Sequence, residues 1–237
     1  MSALRILALA CLLAACHDGD YLSYEWDDSR ILCSFSIDDI TNGSQMGRLA
    51  EQIQLARDNR RVVLAHAHRP GISISRGMIE EMLDRVDAAG LDYVEYNELV
   101  PGPRRAAIAF AFDDNSVDLW LGVRDLLQAH HARVTFFITR YERMTDEEHA
   151  GLLTLAADGH DLEPHSVSHI HAESYVQQYD LDAYVQDEVL PSFYVLDALG
   201  FTPTTYAYPF GEHTAAMDDA ILPHVDKLRV GPETCPR

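Results

Sequence analysis

Arg105-Ala106-Ala107-Ile108-Ala109-Phe110-Ala111-Phe112 is a short, almost wholly apolar run that ends abruptly on two carboxylates, Asp113-Asp114. Such a run reads as a strand buried on both faces, the kind found in parallel sheets covered by helices. In α/β folds the chemistry gathers at the carboxyl ends of strands, where this run puts Asp113 and Asp114. Downstream, His165-Ser166-Val167-Ser168-His169 sets two imidazoles four residues apart. That spacing suits one helical turn or a tight loop and lets both rings reach one ion. Two carboxylates with two imidazoles are the parts of a hydrolytic metal site: one carboxylate ligates and the other serves as base. Two His and one Asp leave positions open for water and substrate, whereas a structural zinc site is usually closed by four protein ligands. The histidine pair alone also occurs by chance on a histidine-rich surface; the paired carboxylates turn the reading towards catalysis.

Around this core, apolar runs alternate with amphipathic stretches in βα order. Strands are predicted over 31–37, 61–67, 91–96, 105–112, 133–138, 160–163, 204–208 and 227–230. Helices are predicted over 45–60, 75–89, 117–131, 146–157, 175–199 with a break or kink at Pro191, and 215–222. The expected class is α/β, a (β/α) barrel of seven or eight strands in one domain over 16–237, with His66 at a second strand end.

The 237 residues carry a formal charge of −20, which argues against nucleic acid or an anionic membrane surface as a partner and favours a neutral or cationic substrate. The first residues differ from the rest: Arg5 precedes an apolar core over 6–13, and Leu13-Ala14-Ala15-Cys16 resembles the lipobox of bacterial lipoproteins. The resemblance implies a signal peptide over 1–15 and a lipid on Cys16 that tethers the mature chain to a membrane outside the cytoplasm; an uncleaved apolar terminus or ordinary secretion is the alternative. Cys33 and Cys235 are then left as a pair in an oxidising compartment, to be read as a disulfide or as two buried thiols.

Several blocks together resemble the polysaccharide deacetylase (NodB-homology) domain of carbohydrate esterase family 4. Phe112-Asp113-Asp114 is similar to the family's T-F-D-D motif, and His165-Ser166-Val167-Ser168-His169 to H-[ST]-x-x-H. Tyr206-Ala207-Tyr208-Pro209-Phe210-Gly211 is similar to F-R-x-P-x-G with Ala207 in place of the arginine. The closing L-x-H motif is matched by Leu64-Ala65-His66, which precedes the others instead of following them. The resemblance therefore implies a circularly permuted, NodB-type deformed barrel, its two parts joined through Pro101-Gly102-Pro103.

By this resemblance Asp114, His165 and His169 bind a divalent metal, zinc, and Asp113 is the base that deprotonates the attacking water. The backbone N–H of Phe210 helps hold the oxyanion, and His66 protonates the leaving amine. The implied substrate is an N-acetylated polysaccharide. Asp38 and Asp39 stand near the place of the family's fourth motif, with a solvated strand-end turn slightly favoured, and His68 competes with His66 for the acid role. His160 and His171 are expected to pack or face solvent, and Tyr206, Tyr208 and Trp120 to be core before sugar-groove residues. Two other readings share the fold: a catalytically silent carbohydrate-binding lipoprotein, for which the lost arginine argues, and a metal-dependent hydrolase of another amide or ester.

Overall fold

The computed structural model describes residues 22–235, so the signal segment and Cys16 lie outside the described residues. The strands are β1 (Ser23–Tyr24), β2 (Ile31–Cys33), β3 (Phe35–Ser36), β4 (Val62–Ala67), β5 (Asp92–Tyr93), β6 (Ala107–Asp114), β7 (Thr135–Ile138), β8 (Asp161–Pro164), β9 (Thr205–Ala207) and β10 (Lys227–Val230). The helices are α1 (Asp39–Asn42), α2 (Met46–Asn59), α3 (Arg76–Ala89), α4 (Val117–Leu121), α5 (Arg124–Ala129), α6 (Asp146–Ala157), α7 (Ala172–Gln178), α8 (Leu181–Tyr184), α9 (Leu190–Asp197) and α10 (Ala215–Ile221).

One sheet runs β1-β4-β6-β7-β8, with β3 also on β4 and β5 also on β6. All its pairings are parallel except β1 with β4. The second sheet, β2-β10-β9, is parallel throughout. The segment Ile31–Ser36 serves both: its first half pairs with β10, its second half with β4, and between them Ser34 N–H donates to the Val230 carbonyl at 3.1 Å. At the far side β8 and β9 form no ladder among the described residues. There the buried Glu163 carboxylate accepts from Thr204 N, Thr204 Oγ1 and Thr205 N at 2.8 to 3.1 Å. The α/β class is as the sequence predicts, but among the described residues no backbone ladder runs all the way round.

Strand β6 explains how the layers are filled. Ile108, Phe110 and Phe112 point into the layer shared with the helices, where Trp120 and Phe136 also lie. Ala107, Ala109 and Ala111 point to the opposite face, where Tyr96, Phe137 and Ala207 are packed. Period-two alternation then carries Asp113 to the alanine face, the enclosed one. The expected helix over 117–131 is divided around Gly122, and the 175–199 stretch is interrupted between α7 and α8. Pro191 is the second residue of α9 and follows directly on a wide helical turn, Val185–Val189, so the expected break or kink takes the form of that wide turn inside a continuing helix. Thr145 and Glu148 form the reciprocal cap that starts α6 at Asp146. Cys33 and Cys235 are disulfide-bonded, with Cα atoms 5.7 Å apart. No helix among the described residues is long and apolar enough to cross a membrane.

Because one carboxylate replaces a backbone ladder between β8 and β9, it is an unusually costly group to delete. Glu163→Ala leaves buried N–H groups unpaired and is expected to lower unfolding stability by about 2–4 kcal/mol in denaturant titration. A loss under about 0.5 kcal/mol, the range of ordinary surface substitutions, would contradict this role.

Candidate active site

The parallel strands all end on the same side, and the ends carry the polar chemistry. Ser36 closes β3, His66 is the last residue but one of β4, Asp113 and Asp114 close β6, His165 follows β8, and Arg229 lies near the end of β10. These side chains line one cavity of about 830 Å³, together with Asp38, His68, His169, Phe210 and Gly211.

Asp114, His165 and His169 present ligand atoms that all lie within 4.8 Å of one another. His169 Nε2 is 3.0 Å and His165 Nε2 4.0 Å from Asp114 Oδ1. The two histidines reach this position from an irregular loop, not a helical turn. Ser166 (φ 63°) and His169 (φ 55°) adopt left-handed backbone, as does Asp114 (φ 89°), and such costly conformations tend to cluster where geometry serves function. His165 donates Nδ1–H to the Ala207 carbonyl at 2.9 Å, which fixes its tautomer and leaves Nε2 as an acceptor. Burial, chiefly, lowers the His165 pKa to about 4, so the ring is neutral and fit to ligate. Asp114 Oδ1 is buried and makes no well-aligned hydrogen bond, which a divalent cation would satisfy. An Asp/His/His donor set of this kind fits a borderline divalent ion such as zinc.

Asp113 is paired with a residue absent from the sequence reading. Arg229 Nη2 donates to Asp113 Oδ2 at 2.6 Å, and both side chains are buried. Burial alone would raise the Asp113 pKa, but the Arg229 guanidinium outweighs it, aided by His66 and His165, and holds the carboxyl well below the usual range. Arg229 also sits 4.7 Å from the Phe137 ring centroid. Its strand partner in the β9–β10 register is Ala207 itself. A guanidinium thus reaches Asp113 from the strand beside position 207.

His66 and His68 occupy different environments. His66 Nδ1 lies 2.8 Å from Ser34 Oγ, and burial followed by the Arg229 charge lowers its pKa to about 3. His68 Nδ1 bonds Asp38 Oδ2 at 2.5 Å. Burial would lower the His68 pKa, but the Asp38 hydrogen bond and the charges of Asp113, Asp38 and Asp114 push it up to about 9. The favoured view of Asp38 as a solvated strand-end carboxylate is not what forms: it is 2% exposed and accepts from Ser36 Oγ, Ser73 Oγ and the His68 backbone N–H. Asp39 turns away to cap α3 through Ser75. Trp120, fully buried, donates its indole N–H to the His68 carbonyl at 2.9 Å.

Phe210 lies just past Pro209 with φ 60°, its ring 55% exposed and stacked 3.9 Å from that of His171. A Cβ on Gly211 would come within 2.6 Å of Gly231 N, so the loops after β9 and β10 touch backbone to backbone. Tyr206 and Tyr208 are buried, and Tyr208 bonds Asp218; Tyr206 is core, as is Trp120, while Tyr208 also borders the cavity. His160 is buried and its Nδ1 accepts from Val134 N–H, while His171 pairs with Glu212 at the surface.

The polysaccharide deacetylase family model matches residues 101–223, just over half of the chain. No curated protein matches. Among solved structures, IcaB from Ammonifex degensii superposes with a TM-score of 0.59 at 17% identity, over 72% of this chain and 84% of that one. A de-N-acetylase from Aggregatibacter actinomycetemcomitans gives 0.53 at 14% identity, over 72% and 92%. The BpsB deacetylase domain from Bordetella bronchiseptica gives 0.52 at 14%, over 90% and 97%. These likenesses are likenesses of fold. With the matched segment carrying Asp113, Asp114, His165, His169 and Phe210 at one end of the sheet, the chain belongs to the polysaccharide deacetylase family, of the NodB type.

Proposed function

We propose that this chain is a metal-dependent deacetylase that removes N-acetyl groups from an extracytoplasmic polysaccharide, held at a membrane by lipid on Cys16. The observation that carries the reading is the Asp114/His165/His169 donor set beside an Asp113 kept ionised by Arg229. We also infer that the family's barrel is circularly permuted here. The motif order motivates this, and the pairing of β4, which carries His66, with β6, which ends on Asp114, over six residue pairs supports it.

Bound by Asp114, His165 and His169, a divalent ion, zinc by donor type, would polarise the acetyl carbonyl and acidify the attacking water. Asp113 takes the proton from that water as it attacks, and Arg229 keeps the carboxylate charged and oriented. The Phe210 N–H donates to the carbonyl oxygen as negative charge builds on it. The C–N bond then breaks and the leaving nitrogen takes a proton, giving acetate and a free amino sugar. The acid role goes to His68, in preference to His66. A general acid must be protonated before it acts: Asp38 favours that form of His68, whereas burial and Arg229 oppose it in His66. Ala207 argues for a silent binding protein; the Arg229 guanidinium on Asp113 supports the enzyme reading instead.

Signal-free protein stripped of metal and reloaded with zinc is expected to release acetate from N-acetylglucosamine oligomers. Asp113→Asn should lower the rate by about 10²-fold or more, as expected for removal of a general base. Zinc-loaded protein that releases no acetate from these oligomers or from peptidoglycan would exclude this substrate class. Comparing His68→Asn with His66→Asn tests the acid: the former should cost kcat about 10²-fold and the latter clearly less, and the reverse order would return the role to His66. Activity should fall as pH rises through the His68 pKa, since the acid must carry a proton. Asp38→Asn removes the partner that raises this pKa, so the descending limb should move to lower pH by about one unit or more. An unmoved limb would mean that another group titrates there.

A further inference from the structure

We propose that His66, His68 and Asp113 form a second, weaker metal site beside the catalytic one, and that filling it shuts the enzyme off. The three residues offer ligand atoms that lie within 4.8 Å of one another and line the same cavity. Each is held from behind in the way that metal ligands usually are. His68 gives Nδ1–H to Asp38 Oδ2 at 2.5 Å, so an ion would take the place of the proton on its Nε2. His66 Nδ1 is engaged by Ser34 Oγ at 2.8 Å, and with Nδ1–H as the donor its Nε2 is likewise left to accept. Asp113 commits Oδ2 to Arg229, while its Oδ1 is buried and makes no hydrogen bond. The histidine rings stand edge to face with centroids 5.6 Å apart. Two imidazoles and one carboxylate oxygen with open positions make a set of the same composition as Asp114, His165 and His169.

Two charges make this site the weaker one. The Arg229 guanidinium is already bonded to Asp113, and an ion held by Asp114 would stand one residue along the chain. Both repel a second dication, so the catalytic set fills first. The consequence for activity rests on the functional reading above. Asp113 Oδ1 is the atom left to take a proton from water, and His68 Nε2 must carry the proton given to the amine. An ion on those two atoms removes both functions at once.

Zinc titration of metal-stripped protein by calorimetry tests the site without relying on turnover. Wild type is expected to bind two ions, the second at least about tenfold more weakly than the first. His66→Asn should keep the tight ion and lose the weak one, and His165→Asn should do the opposite; circular dichroism checks that each variant folds, with Ser34→Ala as a milder second probe that weakens the second ion. In the acetate assay, rate should peak near one equivalent and decline with excess zinc, and the decline should vanish in His66→Asn. A single ion at saturation in wild type, or a second ion bound equally well by His66→Asn, would overturn the proposal. Two ions with the expected variant pattern but no acetate release would leave the second site standing and refute the deacetylase reading instead.

Discussion

The buried ion pair between Asp113 and Arg229, joined across 116 positions of sequence, is the constraint on which the rest of the site depends. Taking two charges out of water costs several kcal/mol per ion, and removing one partner of such a pair typically costs about 3–5 kcal/mol because the other is left uncompensated. The fold must therefore hold β6 and β10 in fixed relation. It does so through β2, which pairs with β10 while the continuation of its own chain pairs with β4, the neighbour of β6. The Cys33–Cys235 disulfide ties the end of the chain to the same strand. The C-terminal segment is thus part of the wall of the cavity, where Gly231 presses on Gly211 and Thr234 bonds the Gly211 carbonyl at 2.8 Å.

Charge is distributed differently in the cavity and over the whole chain. The formal balance of the chain is −20. Three of the four carboxylates on the cavity lining have a counterpart: Arg229 for Asp113, His68 for Asp38, and His169 for Asp114. Arg48 and Arg69, on the same lining, add positive charge at the rim. A substrate therefore meets a site closer to neutral than composition suggests, and overall charge is a poor guide to what it binds.

Much of this was legible in the sequence because it rests on local pattern. The apolar run into Asp113-Asp114, the alternation of strands and helices, and the HSVSH block all report themselves within a few residues. Three features did not, each for a physical reason. Arg229 lies in Lys227-Leu228-Arg229-Val230, where nothing local distinguishes a buried arginine from a surface one; only the β9–β10 register brings it beside Ala207. The role of Asp38 depends on donors from His68 and Ser73 some thirty residues away, so a strand-end carboxylate looked solvated. The different environments of His66 and His68 are the third: motif spacing is blind to the partners that each of two alternate residues finds at one strand end.

The central claim is that an arginine displaced by one strand does the work of the one absent at position 207. The measurement that tests it most directly is the acetate-release rate of zinc-loaded Arg229→Ala, Ala207→Arg and the double variant, each checked for folding. The account predicts that Arg229→Ala loses activity because Asp113 is left without its cation, and that Ala207→Arg loses it because a second large cation is forced beside the first. In the double variant the space vacated at 229 admits the arginine at 207, and a substantial part of the rate should return. Full activity in Arg229→Ala would contradict the account.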